Sequence, residues 1–234
     1  MKFHETTTFK NLNMYLGKNR LNFELLLLFY LIRYFNPKTL LEIGVDEGCS
    51  FGVMMEAAID NSQLTGIDIR LDRTLFDSIY NDSQHNVNKK ITLLKMSSLD
   101  FTDNNKYDFI NVDGDHTMPV VYHDLVNASK LINQTGIIMI DDYALDGVDT
   151  AINQFLNLGT DFVPFLIDEQ CVYFHHISHG ADQFLDVELE KIFASFCSLS
   201  NTTYKSFLVK QIKCLPAVTS NNDVFSLICK QYDL

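Results

Sequence analysis

The chain has 234 residues, 47% of them hydrophobic, which is enough apolar material for one good-sized α/β domain, alone or with an appendage. With 30 acidic against 18 basic residues the net charge is −12. An acidic surface repels phosphate backbones and anionic lipid, so neither a nucleic-acid partner nor a membrane partner is expected. The five cysteines (Cys49, Cys171, Cys197, Cys214 and Cys229) are odd in number and widely spaced, without a CxxC pair. They read as reduced thiols of a cytoplasmic protein. The N-terminal residues hold no apolar signal core, and the longest apolar run, 25–32, is too short to span a bilayer.

In chain order, residues 21–35 predict a helix that Asn36-Pro37 stops. Apolar runs predict parallel strands at 38–43, 64–68, 91–96, 107–112 and 136–140, with helices at about 50–60, 73–81, 118–132 and 147–157. Strand alternating with helix implies right-handed crossovers and a parallel sheet. Residues 162–167 and 170–175 flank only Asp168-Glu169, a link so short that it permits only an antiparallel hairpin. The expected fold is therefore α/β: a Rossmann-like, doubly wound, mostly parallel seven-stranded sheet with one antiparallel strand. Residues 1–36 would form an N-terminal helical cap, 37–180 the catalytic domain and 181–234 a C-terminal helical appendage, with 186–196 as its clearest helix. The terminal helices are the expected surface for a homo-oligomer.

The first strand runs into Glu42-Ile43-Gly44-Val45-Asp46-Glu47-Gly48-Cys49-Ser50. Gly44 permits a sharp turn, Gly48 a close approach, and a helix starting near Ser50 aims its free amides at the turn. Asp68 closes the second strand, where a carboxylate can accept both hydroxyls of a ribose. Asp46 occupies the second glycine position of the dinucleotide fingerprint, so a pyrophosphate would meet Asp46 and Glu47 at close range. That argues against NAD and FAD and for a cationic, phosphate-free nucleoside such as S-adenosylmethionine.

Asp113 and Asp115 follow the fourth strand, and Asp141 and Asp142 follow the fifth. Strand C-termini of a parallel sheet converge on one edge, so these carboxylates are expected to crowd together there. A divalent cation relieves their repulsion, and an all-oxygen set selects a hard ion, Mg²⁺ or Mn²⁺. Asp113, Asp141 and Asp142 are the expected ligands, with Asp113 also bordering the nucleoside pocket. His116 could be a second base, a residue near the metal, a donor to substrate or a plain loop histidine. His175, His176 and His179 are read as structural, because adjacent residues at a strand end point to opposite faces.

Residues 38–175 resemble the class I S-adenosylmethionine-dependent methyltransferases, and within them the metal-dependent O-methyltransferases of the macrocin and aminocoumarin sugar-tailoring type. The most specific stretches are Phe109-Ile110-Asn111-Val112-Asp113-Gly114-Asp115-His116 and Gly136-Ile137-Ile138-Met139-Ile140-Asp141-Asp142-Tyr143, with Asp124-Leu125 between them. The resemblance implies methyl transfer from S-adenosylmethionine to a hydroxylated small molecule, a sugar-like group among the candidates. It implies cofactor contacts at Glu42, Gly44, Gly48 and Asp68, and a general base at Asp115. The usual acidic segment after the third strand reads Met96-Ser97-Ser98 here, leaving Ser98 to serve through its hydroxyl or backbone. Two other readings compete: a protein of this fold doing other, hydroxylase-like chemistry, and a non-catalytic interaction module.

Overall fold

The computed structural model describes residues 23–72, 74, 76–77, 88–167, 170–176 and 210–211. The chain divides into two compact units, Met1–Phe101 and Thr102–Leu234.

In the first unit, helix α1 (Phe23–Phe35) carries Glu24 in its first turn and Arg33 in its last, each favourable to the helix dipole. It ends at Asn36, which adopts φ 54 and returns its N–H to the Ile32 carbonyl at 2.9 Å. Strand β1 (Thr39–Ile43) is buried beyond its first residue, as a central parallel strand requires. Helix α2 (Cys49–Ala57) follows and packs on α1. Strands β2 (Gln63–Asp68) and β3 (Lys90–Lys95) complete a parallel set in the order β3-β2-β1. A single 3-10 turn, Ser98–Asp100, closes the unit. Of the helix expected at 73–81, residues 74, 76 and 77 are described, and all three are helical.

The second unit runs β4 (Tyr107–Val112), α3 (Met118–Leu131), β5 (Ile132–Ile140), α4 (Asp146–Asn157), β6 (Phe162–Ile167), β7 (Val172–His176) and β8 (Lys210–Gln211). Strands β4 and β5 are parallel; β7 lies antiparallel between β5 and β6, as the short 162–175 hairpin required. The seven expected strands are present, and the fold is the Rossmann-like one. Two details differ from expectation. Strand β5 starts at Ile132 rather than 136, because its ladder with β4 continues across a bulge between Tyr107 and Phe109. Gly136 is needed there: a Cβ would come within 2.7 Å of the Ile132 side chain and 2.9 Å of the Asp108 carbonyl. Second, Lys210–Gln211 pair antiparallel with β6, so a short strand lies where only helix was expected. The helix expected at 186–196, His179, and the remainder of the two proposed end segments other than 23–36 lie outside the described residues.

His175 and His176 have separate aromatic partners. The His175 ring stands edge-on to Phe165 at 5.1 Å and that of His176 to Phe162 at 5.7 Å, so both serve packing. No helix among the described residues is long and apolar enough to cross a membrane.

Candidate active site

The turn after β1 is built on three left-handed residues, Gly44 (φ 97), Asp46 (φ 45) and Gly48 (φ 84). The Gly44 N–H bonds the Ile67 carbonyl of β2 at 2.8 Å, and the Gly48 N–H bonds the Val45 carbonyl at 2.7 Å. Gly48 then serves as N-cap of α2 without a side-chain bond. Ser50 is buried in that first turn.

Asp68 is buried, and backbone amides hold its carboxylate. One oxygen accepts the Asp46 N–H at 2.8 Å and the other accepts the Arg70 N–H. A carboxylate oxygen has two lone-pair sites, so each retains capacity for one ribose hydroxyl. The exposed Arg70 guanidinium sits 3.4 Å from the Asp46 carboxylate and offsets a charge that would otherwise stand alone in the turn. The Met96 N–H donates to the Asp68 carbonyl, which ties the end of β3 to the end of β2. Ser97 caps the 3-10 turn by accepting the Leu99 N–H at 3.2 Å, and Ser98 opens that turn. Ile69 and Leu99, beside Asp68 and Ser98, are 67% and 52% exposed. Both are large apolar side chains exposed after neighbouring strands, and sequence patterning gave no sign of them. Glu42 is wholly buried within β1, opposite Gly66 of β2.

In the second unit Asp113 follows β4, and Asp141 and Asp142 follow β5. Burial pushes the Asp141 carboxyl above its usual range and neighbouring Asp142 raises it further, against hydrogen bonds from Cys171, the Asp142 backbone and Asp113. The Asp141 N–H is anchored to the Val112 carbonyl at 3.1 Å, so the ends of β4 and β5 hold the pair in register. Asp142 adopts φ 52, a conformation that aspartate tolerates better than most residues. His116 Nε2 lies 3.5 Å from Asp142 Oδ2 and 3.9 Å from Asp113 Oδ1.

Asp115 is turned to other work. Its Oδ1 accepts the Thr117 N–H at 2.6 Å, and the Thr117 hydroxyl bonds it too. These two bonds hold its carboxyl below the usual range. Asp115 therefore fixes the 115–118 loop at the start of α3, while His116 is the residue that reaches the other acids. Gly147, in the first turn of α4, lies against that loop: a Cβ there would land on the His116 backbone oxygen and come within 3.1 Å of the Met118 nitrogen.

Residues 41–143 match a family described as a methyltransferase domain. The match runs from β1 through the end of β5. Solved structures with the same fold include the O-methyltransferase TomG from Streptomyces achromogenes, which acts in tomaymycin synthesis, in complex with S-adenosylmethionine. It is 16% identical, with 73% of this chain and 89% of that chain covered and a TM-score of 0.57. A methyltransferase from Geobacter sulfurreducens is 13% identical over 73% and 87% of the two chains, TM-score 0.56. The O-methyltransferase of Bacillus cereus, in complex with S-adenosylhomocysteine, is 15% identical over 72% and 88%, TM-score 0.55. No curated protein sequence matches. The matched stretch contains the whole glycine turn, Asp68, Asp113 and the Asp141-Asp142 pair.

Proposed function

We propose that the protein is an S-adenosylmethionine-dependent O-methyltransferase that needs a divalent cation, Mg²⁺ or Mn²⁺, and acts on a hydroxyl of a small, sugar-like molecule. The observation that carries this reading is that the ends of β4 and β5, tied by the Asp141 N–H to the Val112 carbonyl, bring Asp113 and Asp142 to 3.9 Å and 3.5 Å from His116 Nε2, with burial pushing the neighbouring Asp141 carboxyl up. Carboxyls brought to neighbouring strand ends repel one another, and a divalent cation would draw them in as an oxygen donor set for a hard ion. Two of the structural neighbours are named O-methyltransferases, one in complex with the methyl donor and one with its demethylated product, and we carry that donor over to this chain. The net charge of −12 leads us to a small-molecule acceptor rather than a nucleic acid or an anionic membrane. The free thiols of Cys49 and Cys171 lead us to a cytoplasmic setting.

Asp68 would take the ribose hydroxyls and the Gly44–Gly48 turn the amino-acid end of the donor. Glu42 would support the turn from inside β1, with Ser50 and Ser98 at its borders. Bound at Asp113, Asp141 and Asp142, the cation would supply a Lewis acid that lowers the pKa of the acceptor hydroxyl. His116 would then take the proton as the acceptor oxygen forms its bond to the methyl carbon and the carbon–sulfur bond breaks, releasing S-adenosylhomocysteine. We place the base at His116 rather than Asp115 because the two Thr117 bonds weaken the Asp115 carboxylate as a base, whereas His116 Nε2 lies 3.5 Å from Asp142 and 3.9 Å from Asp113. Positioning of donor and acceptor would provide most of the remaining acceleration. The test is methyl transfer from labelled S-adenosylmethionine to a panel of hydroxylated acceptors with Mg²⁺ and with EDTA. Product that forms with Mg²⁺ and disappears on chelation is expected; full transfer in EDTA would leave a metal-independent enzyme.

A further inference from the structure

Cys171 is completely buried, and its Sγ lies 3.1 Å from Asp141 Oδ1. A thiol is a donor and the carboxylate an acceptor, so the S–H points at Asp141. Backbone pairing enforces the contact. Strands β5 and β7 are antiparallel with Ile140 opposite Val172, so one step further along both strands brings Asp141 opposite Cys171. Directly opposed residues in such a pair share a face with their Cβ atoms about 5 Å apart. Just beyond, the Tyr143 N–H donates to the Gln170 carbonyl at 3.1 Å, which closes the ladder past the site. The thiol is therefore held on a carboxylate whose backbone N–H is itself fixed to β4 through the Val112 carbonyl.

We propose that Cys171 is a positioning residue of the cation site: its S–H holds the Asp141 carboxyl in the orientation that a divalent ion requires. The inference rests on the metal-dependent reading above. Groups that orient a metal ligand contribute about 10- to 100-fold to metal affinity, and an orienting thiol leaves the carboxylate's other lone pairs to the ion. Of the simple replacements, serine keeps a donor hydroxyl and alanine keeps neither donor nor sulfur.

The experiment is Mn²⁺ binding to the full chain, read by the electron paramagnetic resonance of free Mn²⁺, for the wild type, Cys171→Ser and Cys171→Ala. S-adenosylmethionine affinity and thermal unfolding are measured on the same samples. The expected result is a Mn²⁺ Kd raised at least about tenfold in Cys171→Ala and recovered to within about threefold of wild type in Cys171→Ser, with cofactor affinity unchanged in both. Equal Kd values in wild type and folded Cys171→Ala would overturn the role of Cys171 and leave the metal reading standing. Equal loss in the serine and alanine variants would also overturn it, assigning the effect to packing rather than to the hydrogen bond. A wild-type protein that binds no Mn²⁺ would remove both readings.

Discussion

Both units of this protein place aspartates where strands end, and they settle those charges in opposite ways. In the first unit, peptide amides embrace Asp68 on both oxygens, and the Arg70 guanidinium sits beside Asp46. At Asp68, what remains is spare acceptor capacity for neutral hydroxyls. In the second unit, burial and neighbouring Asp142 both push the Asp141 carboxyl up, a thiol donates to it, and an imidazole lies 3.5 Å from Asp142. Under the proposed function, the first arrangement would take a nucleoside and the second a cation. Each contains an aspartate with positive φ, Asp46 and Asp142, a backbone cost of about 1 kcal/mol or more that recurs at functional sites.

If the second region does the chemistry, the largest effect belongs to His116. His116→Ala should lower kcat by about 10²–10⁴ with S-adenosylmethionine affinity kept, as expected for loss of a general base. Asp115→Asn should cost far less, since an amide oxygen still accepts from Thr117. Steady-state rates of the two variants decide the matter, and a collapse in Asp115→Asn alone would return the base to Asp115.

Two glycines sharpen the contrast. In Gly66→Ala the new Cβ would come within 2.7 Å of Val45, 2.8 Å of Leu93 and 2.9 Å of Phe51. Val45 and Phe51 are buried and have little room to yield, so overpacking should cost about 1–3 kcal/mol of stability, read by urea denaturation. Gly147→Ala should instead displace the His116 loop, so its effect should appear in kcat more than in cofactor affinity. The same phenotype in both variants would mean that the two regions do not divide the work.

The smallest effect concerns pH. Asp141 titrates higher in the folded protein than in the unfolded chain, so its contribution to stability is present below the unfolded value and lost as pH rises through the folded one. Asp141→Asn mimics the protonated form. In EDTA it should unfold at a higher temperature than wild type at neutral pH, and the gap should close on acidification to about pH 4 and below. Calorimetric scans across that range measure it. A variant less stable than wild type at neutral pH would show that the ionised carboxylate is favoured without a cation.

The main frame of this molecule is legible in its sequence because apolar runs punctuated by glycine, proline and acids report strand ends directly. The Gly44–Gly48 turn, Asp68 and the Asp141-Asp142 doublet all lie where such a run stops. Strand β5 is longer than its pattern suggests, because Asn133-Gln134-Thr135-Gly136 reads as a turn while tertiary pairing extends the strand through it. Cys171 was not legible at all: its partner lies 30 residues away, and only the antiparallel register of β5 and β7 brings them together. The role of Asp115 had a local signal, since an Asp two residues before Thr117 is a common side-chain-to-backbone cap. Ile69 and Leu99 had none, because exposure of a lone apolar residue is decided by the fold.

The most direct test of this division of labour is calorimetric titration of S-adenosylmethionine, in Mg²⁺, into the wild type, Asp68→Ala and Asp141→Asn. The account predicts that Asp68→Ala loses charge-assisted ribose bonds worth roughly 1.5–3 kcal/mol, which is more than tenfold in Kd, while Asp141→Asn stays within about twofold of wild type. Full affinity in a folded Asp68→Ala, or a loss in Asp141→Asn as large as in Asp68→Ala, would contradict it.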